Sequence, residues 1–481
     1  MSSTIGRIVD QVLGRITPST EERKKVRTAT ELARTRLRDE LEDRGLSLPV
    51  ELGGSVAKDT WLSGDVDVDL FMLFPPSMSK KELGGLGLDV AKKAFKGYRQ
   101  RERYAEHVYL ETWVEGVRAN IVPCYRTVKG RWLSAADRSP FHTKYVVEKL
   151  EARPLMDDIR VFKRFVKGID AYGAEIRVGG LSGYLCELLV LHHGSFEETL
   201  KAASGWRFRE VLDPENLHQG RSDEARMLFP EPLIVVDPVD TNRNVAAAVS
   251  KESLSGLIAA AKLCLSSPSL LFFYPGEGRE QRRPLDESLS RLSYSLVALE
   301  LRTGEKVPDI LWGELYKTRG AFKRLLESNG FVVMQSGVWS DEADSSVIVF
   351  GLEALELSVS RKYSGPPGDM MGVQPFLVKH GQDSVAGPWV EDGRWTVGLR
   401  RRNTSAPELL REELSTGAVN VGVAKGLAQA LASSRILVGS EVLGLASRKG
   451  FGEYLAVFIK GRPRWLSAFY SSLPESSSSS S

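Results

Sequence analysis

The chain has 481 residues, 42% of them apolar and 26% charged, which is typical of a soluble globular protein of roughly two to four domains. Its formal net charge of +3 neither requires nor excludes a nucleic-acid partner. The three cysteines form no CxxC pair, so we expect no disulfide framework or zinc site, and a reducing cytoplasm fits best. No apolar run has the length of a signal peptide or a membrane span, so we expect no membrane partner.

The beginning of the chain predicts a small α/β arrangement. Pro18-Ser19 and Glu22 have the spacing of a capping box, and an amphipathic helix is predicted from there to residue 44. The elements predicted next are a strand at Val50–Leu52, a turn at Gly53-Gly54-Ser55, a helix over Ser55–Leu62 and a strand over Val66–Phe74.

Further elements follow along the chain. HVYLETWV and VRANIVPCY are rich in β-branched and aromatic residues, and they predict a hairpin over residues 107–125 with its turn at Glu115-Gly116. Residues 141–200 have a helical pattern, and Leu270–Tyr274 is strand-like. SSVIVFGLEAL and GRWTVGLRRR are predicted strands.

The strongest chemical signal is the turn Gly54-Ser55 followed by two aspartates. Asp67 and Asp69 are two positions apart in a predicted strand, so their carboxylates project from the same face. Such carboxylates repel one another unless a cation lies between them, and Mg²⁺ prefers oxygen ligands of this kind. The turn amides and the Ser55 hydroxyl suit a triphosphate. The pattern predicts phosphoryl or nucleotidyl transfer, and its alternative is a plain turn before a solvated strand edge.

The segment GGSVAKDTWLSGDVDVDLFMLFP resembles the signature of DNA polymerase β-like nucleotidyltransferases, and in detail their archaeal, class I CCA-adding branch. IVPCYRTVKGRWLSAADRSPFHTKYV and VVDPVDTNRNVAAAVS are similar to later segments of that family. The resemblance implies an α+β fold with a polymerase β-like nucleotidyltransferase head of mixed sheet and helices. The implied domains are this catalytic head at 1–143, a helical nucleotide-binding central domain at 144–265, an α+β tRNA-binding body and tail at 266–474, and a disordered serine tail at 475–481.

The resemblance also implies an activity, which is template-independent addition or repair of the 3′-terminal CCA of tRNA. Its substrates would be CTP and ATP, its cofactor Mg²⁺, and its partner the acceptor and T-arm half of tRNA; a homodimer is usual for the family. The residues implied in nucleotide binding are Gly54, Ser55, Lys58, His142, Lys163, Tyr172 and Arg243.

Several of these residues also have plainer interpretations. Arg243 matches the position that reads the Watson–Crick edge of the base, and an arginine fork suits that task. An ion pair with Asp237 or Asp240 is the alternative for it. Lys163 would otherwise lie on a solvated helix face, and His142 would have a structural role.

One position departs from the family pattern. The family carries a third carboxylate, a metal ligand, on the hairpin strand, where this chain has Asn120. An amide cannot accept a proton and is a poorer Mg²⁺ ligand. Three interpretations are open. The two aspartates and water suffice to hold the cation, or the asparagine inactivates the head, or another acidic residue replaces the missing carboxylate. If the hairpin turn has two residues, Glu111 lies opposite Asn120 and is the candidate substitute, unless it is a solvated strand residue.

Basic residues further along the chain are candidates for contacts with RNA phosphates, which position RNA without reading its sequence. The candidates are Arg279, Arg282, Arg283, Arg361, Lys362 and Arg401. Two rival functions remain open: an ATP-only oligo- or poly(A)-type nucleotidyltransferase, and an RNA-binding protein whose catalytic head is impaired by Asn120.

Overall fold

The computed structural model describes residues 4–104, 108–277, 284–418 and 420–470, which belong to two compact units. One unit comprises Met1–Arg279 with Pro463–Ser481, and the other comprises Glu280–Arg462. In the described ranges, no helix is long and apolar enough to cross a membrane.

The N-terminal part of the first unit builds one sheet flanked by helices. In chain order it contains α1 (Thr4–Ile16), α2 (Thr20–Asp43), β1 (Val50–Gly53), α3 (Gly54–Ala57), β2 (Asp67–Phe74), α4 (Lys80–Ala94), β3 (Gln100–Tyr104), β4 (Val108–Val114) and β5 (Val117–Tyr125). The strands lie in the order β1-β2-β5-β4-β3, with β2 parallel to β5 and the other neighbours antiparallel. This is the mixed sheet predicted for a nucleotidyltransferase head.

At the start of β2, the alternation of side chains places apolar and acidic residues on opposite faces of the sheet. Val68, Leu70 and Met72 are buried in one apolar core with side chains of α2 and α4. Because successive side chains of a strand point to opposite faces, Asp67 and Asp69 project from the face that these helices leave open. The packing of the head thereby places both carboxylates on one side of the sheet.

The start of α2 also fixes the loop that precedes β2. The Ser19 hydroxyl accepts the Glu22 N–H, and the Glu22 carboxylate accepts the Ser19 N–H, so the predicted capping box is confirmed. The same carboxylate accepts hydrogen bonds from the Ser63 hydroxyl at 2.8 Å and the Gly64 amide at 3.0 Å. These bonds hold the loop that leads the chain into Asp67.

The rest of the first unit is mainly helical, as the pattern over residues 141–200 predicted. Its elements are α5 (Ser139–Ala152), α6 (Met156–Gly168), α7 (Gly183–His193), α8 (Phe196–Gly205), β6 (Glu210–Leu212), α9 (Ser222–Leu228), β7 (Leu233–Asp237), β8 (Asp240–Asn244) and α10 (Lys251–Ser266). The strands β6, β7 and β8 form a small sheet of their own.

The prediction of a strand at Leu270–Tyr274 is wrong, because Leu270–Phe272 forms a turn of 3₁₀-helix. Phe272 and Phe273 are both fully buried in the same apolar core. Consecutive side chains of a strand point to opposite faces, so a strand could not bury both on one side. A tight helical turn brings two successive aromatic rings into one core.

The second unit combines helices with two sheets. Its elements are α11 (Leu285–Ser290), β9 (Ser295–Arg302), α12 (Pro308–Ser328), β10 (Val333–Ser340), β11 (Ser345–Leu352), β12 (Ser360–Pro367), α13 (Val373–His380), β13 (Ala386–Glu391), β14 (Arg394–Arg400), α14 (Ala406–Ser415), α15 (Ala428–Ala432), β15 (Arg435–Val438) and α16 (Phe451–Lys460). The sheets have the orders β10-β11-β9-β15 and β12-β14-β13, and β11 and β14 are the two strands predicted there. The short α17 (Ser467–Tyr470) belongs to the first unit. The molecule thus has the α+β architecture that the resemblance implied.

Candidate active site

The two aspartates of β2 face two residues of β5. In the parallel register, Asp67 lies opposite Arg118 and Asp69 lies opposite Asn120. Register partners project from the same face of a sheet, so the four side chains form one polar patch at the start of both strands. The structure therefore brings together the three residues that the sequence predicted at the catalytic centre, and it adds Arg118 to them.

Asp69 is held between Asn120 and the glycine turn. The Asn120 amide Nδ2 donates a hydrogen bond to Asp69 Oδ1 at 2.9 Å. Burial raises the pKa of Asp69, and this hydrogen bond opposes that effect. Gly54 has a φ of +65°, and a Cβ at this position would overlap the Asp69 carboxylate. The turn therefore requires glycine both for its backbone conformation and for its close approach to Asp69.

Asp67 is covered by Arg118. The guanidinium contacts both carboxylate oxygens, through Nε to Oδ1 and through Nη2 to Oδ2 at 2.6 Å. The hydrogen bond to Asp67 raises the pKa of Arg118. Sequence reasoning missed this pair, although its signal was present in the alternation of VRANIV, which places residues 118 and 120 on the same face.

The donor set is small, and its atoms are the oxygen ligands that a hard cation such as Mg²⁺ binds. Two carboxylates and an amide oxygen are oxygen donors, and protein sites for Mg²⁺ often supply only one or two carboxylates while substrate phosphates supply the rest. Among the described residues, no group of three His, Cys, Asp or Glu side chains is placed to hold a metal ion. Asp67 and Asp69 are therefore the available carboxylates, and a nucleotide would have to complete the coordination.

Glu111 on β4 lies beside this patch, in the strand register that the sequence predicted. It faces Asn120 across the β4–β5 hairpin, as a two-residue turn at Glu115-Gly116 requires. The alternative that Glu111 is a solvated strand residue is wrong, because it is only 5% exposed. Its carboxylate lies 3.5 Å from Arg103 Nε. Glu111 thus has a cationic partner and does not form a three-carboxylate group with Asp67 and Asp69.

The helix that follows the glycine turn is shorter than predicted. The expected span was Ser55–Leu62, whereas α3 ends at Ala57. Asp59 has a φ of +50°, which is incompatible with continuing an α-helix. The chain then turns inward, so that Thr60 is fully buried and Lys58 is only 8% exposed.

A buried ionic network anchors this segment to α6 and α7. Glu187 is 1% exposed, and its carboxylate lies 2.6 Å from Lys58 Nζ and 2.8 Å from Lys163 Nζ. Thr60 donates its hydroxyl proton to Glu187 at 2.6 Å. Burial alone raises the pKa of Glu187, but the two lysines lower it to about 2. The carboxylate is therefore ionised and compensates two buried positive charges.

Lys163 is not on a solvated helix face, so that alternative is wrong. Its ammonium group donates to Glu187, to the Thr60 hydroxyl at 3.0 Å and to the Thr60 carbonyl at 3.2 Å. An ammonium group has three donors, so all of them are used. The Tyr172 hydroxyl and Lys163 Nζ both border Gly183, at 2.9 Å and 3.8 Å from the position that a Cβ would take there.

A second polar cluster lies around Asp237, which is fully buried. His142 Nε2 and Arg243 Nη1 lie 2.8 Å and 2.7 Å from the same oxygen of Asp237. The ion pair proposed as the plainer interpretation of Arg243 is therefore present, with Asp237 as its partner. Burial lowers the pKa of His142, and the neighbouring Asp237 opposes that effect.

Tyr184 joins the two clusters. Its ring stacks on His142 with 4.0 Å between centroids and an angle of 23°. Lys58 Nζ lies 5.6 Å from the centre of the same ring, within cation–π range. Tyr184 and Glu187 were not predicted as site residues, since a tyrosine and a glutamate in the apolar run SGYLCELLV indicate a helix core. Asp237 was predicted only as a possible ion-pair partner of Arg243.

The candidate RNA-binding residues of the second unit lie on or beside β12 and β14. Arg361 is exposed, and Lys362 Nζ lies 2.6 Å from Glu391 Oε2. Arg401 Nη1 donates to the Asn329 carbonyl at 3.4 Å. The other candidates, Arg279, Arg282 and Arg283, lie outside the described residues.

Comparisons with known proteins cover most of the chain. A nucleotidyltransferase domain matches residues 34–151, the second domain of tRNA nucleotidyltransferases matches 157–274, and the C-terminal domain of CCA-adding enzymes matches 293–439. Among solved structures, the Cid1 poly(U) polymerase with MgGTP has a TM-score of 0.44 at 15% identity over 55% of this chain and 94% of its own. A CdnC protein of E. coli with ATP has a TM-score of 0.43 at 18% identity over 56% and 92%.

Relatives align along almost the whole length. The CCA-adding enzyme of Methanopyrus kandleri is 36% identical over 96% of this chain and 98% of its own. That of Pyrobaculum neutrophilum is 35% identical over 86% and 95%, and that of Methanosarcina mazei is 34% identical over 84% and 88%. With a carboxylate pair beside a glycine turn in its head and these relatives over most of its length, the chain belongs to the family of CCA-adding enzymes, which are tRNA nucleotidyltransferases.

Proposed function

We propose that this chain adds or repairs the 3′-terminal CCA of tRNA without a nucleic-acid template, from CTP and ATP and with release of pyrophosphate. The observation that carries the proposal is the carboxylate pair Asp67 and Asp69 beside the Gly54-Ser55 turn, in a chain of this family. The 3′-hydroxyl of the tRNA attacks the α-phosphorus in line, a new P–O bond forms, and the bond to the β-phosphate oxygen breaks.

Asp67 and Asp69 would hold Mg²⁺ together with the phosphates of the nucleotide. When bound, the ion would neutralise the negative charge that develops on the phosphate oxygens, and it would lower the pKa of the attacking hydroxyl. Asn120 cannot accept the hydroxyl proton, which therefore leaves to a carboxylate or to water. The role of Asn120 is to orient Asp69 through its 2.9 Å hydrogen bond.

Ser55, Lys58, Lys163 and Tyr172 hold the triphosphate in this proposal. Lys58 is the better placed of the two lysines. Its ammonium group has three donors, and among the described residues it pairs with the Glu187 carboxylate alone, so donors remain for phosphate oxygens. Lys163 has three partners already and must exchange one of them to reach a phosphate. Its principal effect is therefore to place Glu187, and through it Lys58.

Arg243 selects the base, and Asp237 orients it. An arginine fork offers paired donors to the acceptors of cytosine or adenine. Asp237 binds one arm of the guanidinium and also His142, which leaves the remaining donors of Arg243 for the nucleotide. His142 and Tyr184 form a stacked aromatic pair beside them that suits the flat face of a base or ribose.

The tRNA partner is bound through its acceptor and T-arm half by basic side chains of the second unit. Arg361, Lys362 and Arg401 are the candidates among the described residues. Contacts of this kind recognise the backbone and shape of an RNA duplex rather than its sequence. The resemblance also predicts a homodimer, which sedimentation of the full chain would detect.

Nucleotide choice tests the function. Purified protein, Mg²⁺ and a tRNA that lacks its last three nucleotides are incubated with each labelled nucleoside triphosphate alone, and the product lengths are measured. The proposal predicts that CTP alone adds two residues, that ATP alone adds none, and that ATP is added once to the product already extended with CTP. Addition of ATP alone would instead indicate an oligo- or poly(A)-type enzyme, and tRNA binding without any incorporation would indicate an impaired RNA-binding relative.

A further inference from the structure

Asp67, one of the two carboxylates available for a cation, is already bound by a positive side chain of the same sheet. Arg118 lies in register with it on the adjacent parallel strand, and its guanidinium contacts both carboxylate oxygens. A bidentate arginine occupies the oxygens that an inner-sphere cation would use. In this arrangement a cation and Arg118 compete for the same two atoms.

The charges around the patch strengthen this competition. The patch contains two carboxylates, one guanidinium and, at Asn120, a neutral amide in place of a third carboxylate. Glu111, which lies opposite Asn120 on β4, has its own cationic partner, because Arg103 Nε lies 3.5 Å from its carboxylate. The attraction for a divalent cation is therefore weaker than that of an uncompensated pair of aspartates.

The pair is also open to exchange. The side chains of Arg118 and Asp67 are 42% and 34% exposed, so solvent weakens the ion pair and a dissolved cation can approach it. Arginine does not lose its proton at accessible pH, so the guanidinium can vacate Asp67 only by moving. The guanidinium stands at the end of a long, partly exposed side chain, so it can rotate away from Asp67 while the backbone of β5 stays in place.

We propose that Arg118 is an internal counter-ion that competes with the divalent cation for Asp67 and thereby sets a low affinity for the cation in the absence of substrate. This inference rests on the proposed function in one respect, that Asp67 and Asp69 are the cation-binding carboxylates. Arg118 is thus a positioning residue that keeps Asp67 oriented and compensated until the cation arrives with the nucleotide.

Mn²⁺ binding to the full chain, measured by electron paramagnetic resonance without tRNA or nucleotide, tests the proposal. Arg118→Gln removes the competing charge, and we expect about fivefold tighter Mn²⁺ binding, the size that a partly exposed ion pair permits. The matched control is Arg101→Gln, which makes the same charge change on β3, two strands away and roughly 10 Å distant in the sheet. Its effect should be less than about twofold, because salt screens charges at that distance.

Two further variants keep the test decisive. The double variant Asp67→Asn, Asp69→Asn should abolish Mn²⁺ binding, which would show that the Mn²⁺ bound by the parent occupies this site. If Arg118→Gln does not melt cooperatively, Arg118→Lys replaces it. A lysine cannot contact both oxygens of Asp67 at once, so we expect this variant to bind Mn²⁺ about twofold tighter than the parent. Unchanged or weaker binding in a folded Arg118 variant would overturn the proposal, as would equal effects at Arg101. Nucleotide incorporation plays no part in these outcomes, so the proposed function is judged separately.

Discussion

Asn120 and Asp69 are register partners on parallel strands, and the Asn120 amide donates to the Asp69 carboxylate at 2.9 Å. The Asn120 side chain is neutral, so it does not repel the Asp69 carboxylate as an aspartate would. The asparagine therefore stabilises the ligand-free arrangement of the patch, at the cost of one carboxylate for the cation. Stability and cation binding are opposed at this position.

Asn120→Asp is expected to lower the free energy of unfolding by about 1–2 kcal/mol when divalent cations are chelated, because a hydrogen bond is replaced by a like charge beside Asp69. Added Mg²⁺ should restore the loss, since a cation between the carboxylates removes the repulsion. Urea denaturation with EDTA and with Mg²⁺ measures both effects. The same change at the exposed Asn242 is the control and should show neither; an Asn120→Asp variant as stable as the parent in EDTA would contradict this account.

Gly54→Ala is expected to reduce nucleotide incorporation on the order of 10²-fold, because the new Cβ displaces the Asp69 carboxylate from its position. Gly64→Ala is a matched control, since Gly64 also has a positive φ, of +73°, but open space where the Cβ would lie. Both variants should lose about 1–2 kcal/mol of stability from backbone strain. Equal losses of incorporation rate in the two would show that the close approach to Asp69 has no catalytic consequence.

Glu187→Gln is expected to destabilise the protein by about 3–5 kcal/mol at pH 7, because it leaves Lys58 and Lys163 buried without their counter-ion. The pKa of Glu187 is lowered to about 2 in the folded state from an ordinary value of 4.5. Its contribution is therefore fully present above pH 4.5 and is lost as the pH falls toward 2.

The pH series distinguishes this effect from a packing defect. Urea denaturation of the parent and of Glu187→Gln should give curves that converge as the pH is lowered through that window. Glu198→Gln, a change at an exposed glutamate of α8, should leave stability within about 0.5 kcal/mol at every pH. A constant difference between parent and Glu187→Gln would contradict the electrostatic explanation.

Asp237→Asn is expected to lower kcat/KM for both CTP and ATP by about 10- to 100-fold, since the charged hydrogen bonds to Arg243 and His142 are weakened together. Discrimination against UTP should fall as well, because Arg243 loses its fixed orientation. Asp240→Asn removes a neighbouring carboxylate that pairs with Arg138 instead, and its effect should stay below about threefold. Steady-state kinetics with the three nucleotides measures all of these values, and similar losses in both variants would assign no special role to Asp237.

The local geometry of the head was predictable because short-range rules determine it. The Glu115-Gly116 turn has positive φ at both residues, which is the conformation of a two-residue hairpin turn, and it fixes Glu111 opposite Asn120. The alternation of β2 likewise placed Asp67 and Asp69 on one face. In both cases the determining residues are neighbours in the sequence.

The remainder of the site depends on partners that are distant in the sequence. Lys58 is buried against Glu187 on α7, and periodicity indicates Glu187 only as part of an apolar helix. The Asp237 carboxylate accepts hydrogen bonds from His142 and Arg243. His142 is distant in the sequence from the other two residues, and no local pattern connects it with them. The predicted domain boundaries, the roles of the nucleotide-binding residues and the RNA contacts stay predictions.

The most direct test of the central claim is the sequence of the product that the unaltered chain makes on tRNA lacking its last three nucleotides, with CTP, ATP and Mg²⁺ together. The account predicts addition of C, C and A followed by a stop, and no addition by the Asp67→Asn, Asp69→Asn double variant. The contradicting result is no incorporation by the unaltered chain while Asn120→Asp is active, which would mean that Asn120 disables the head.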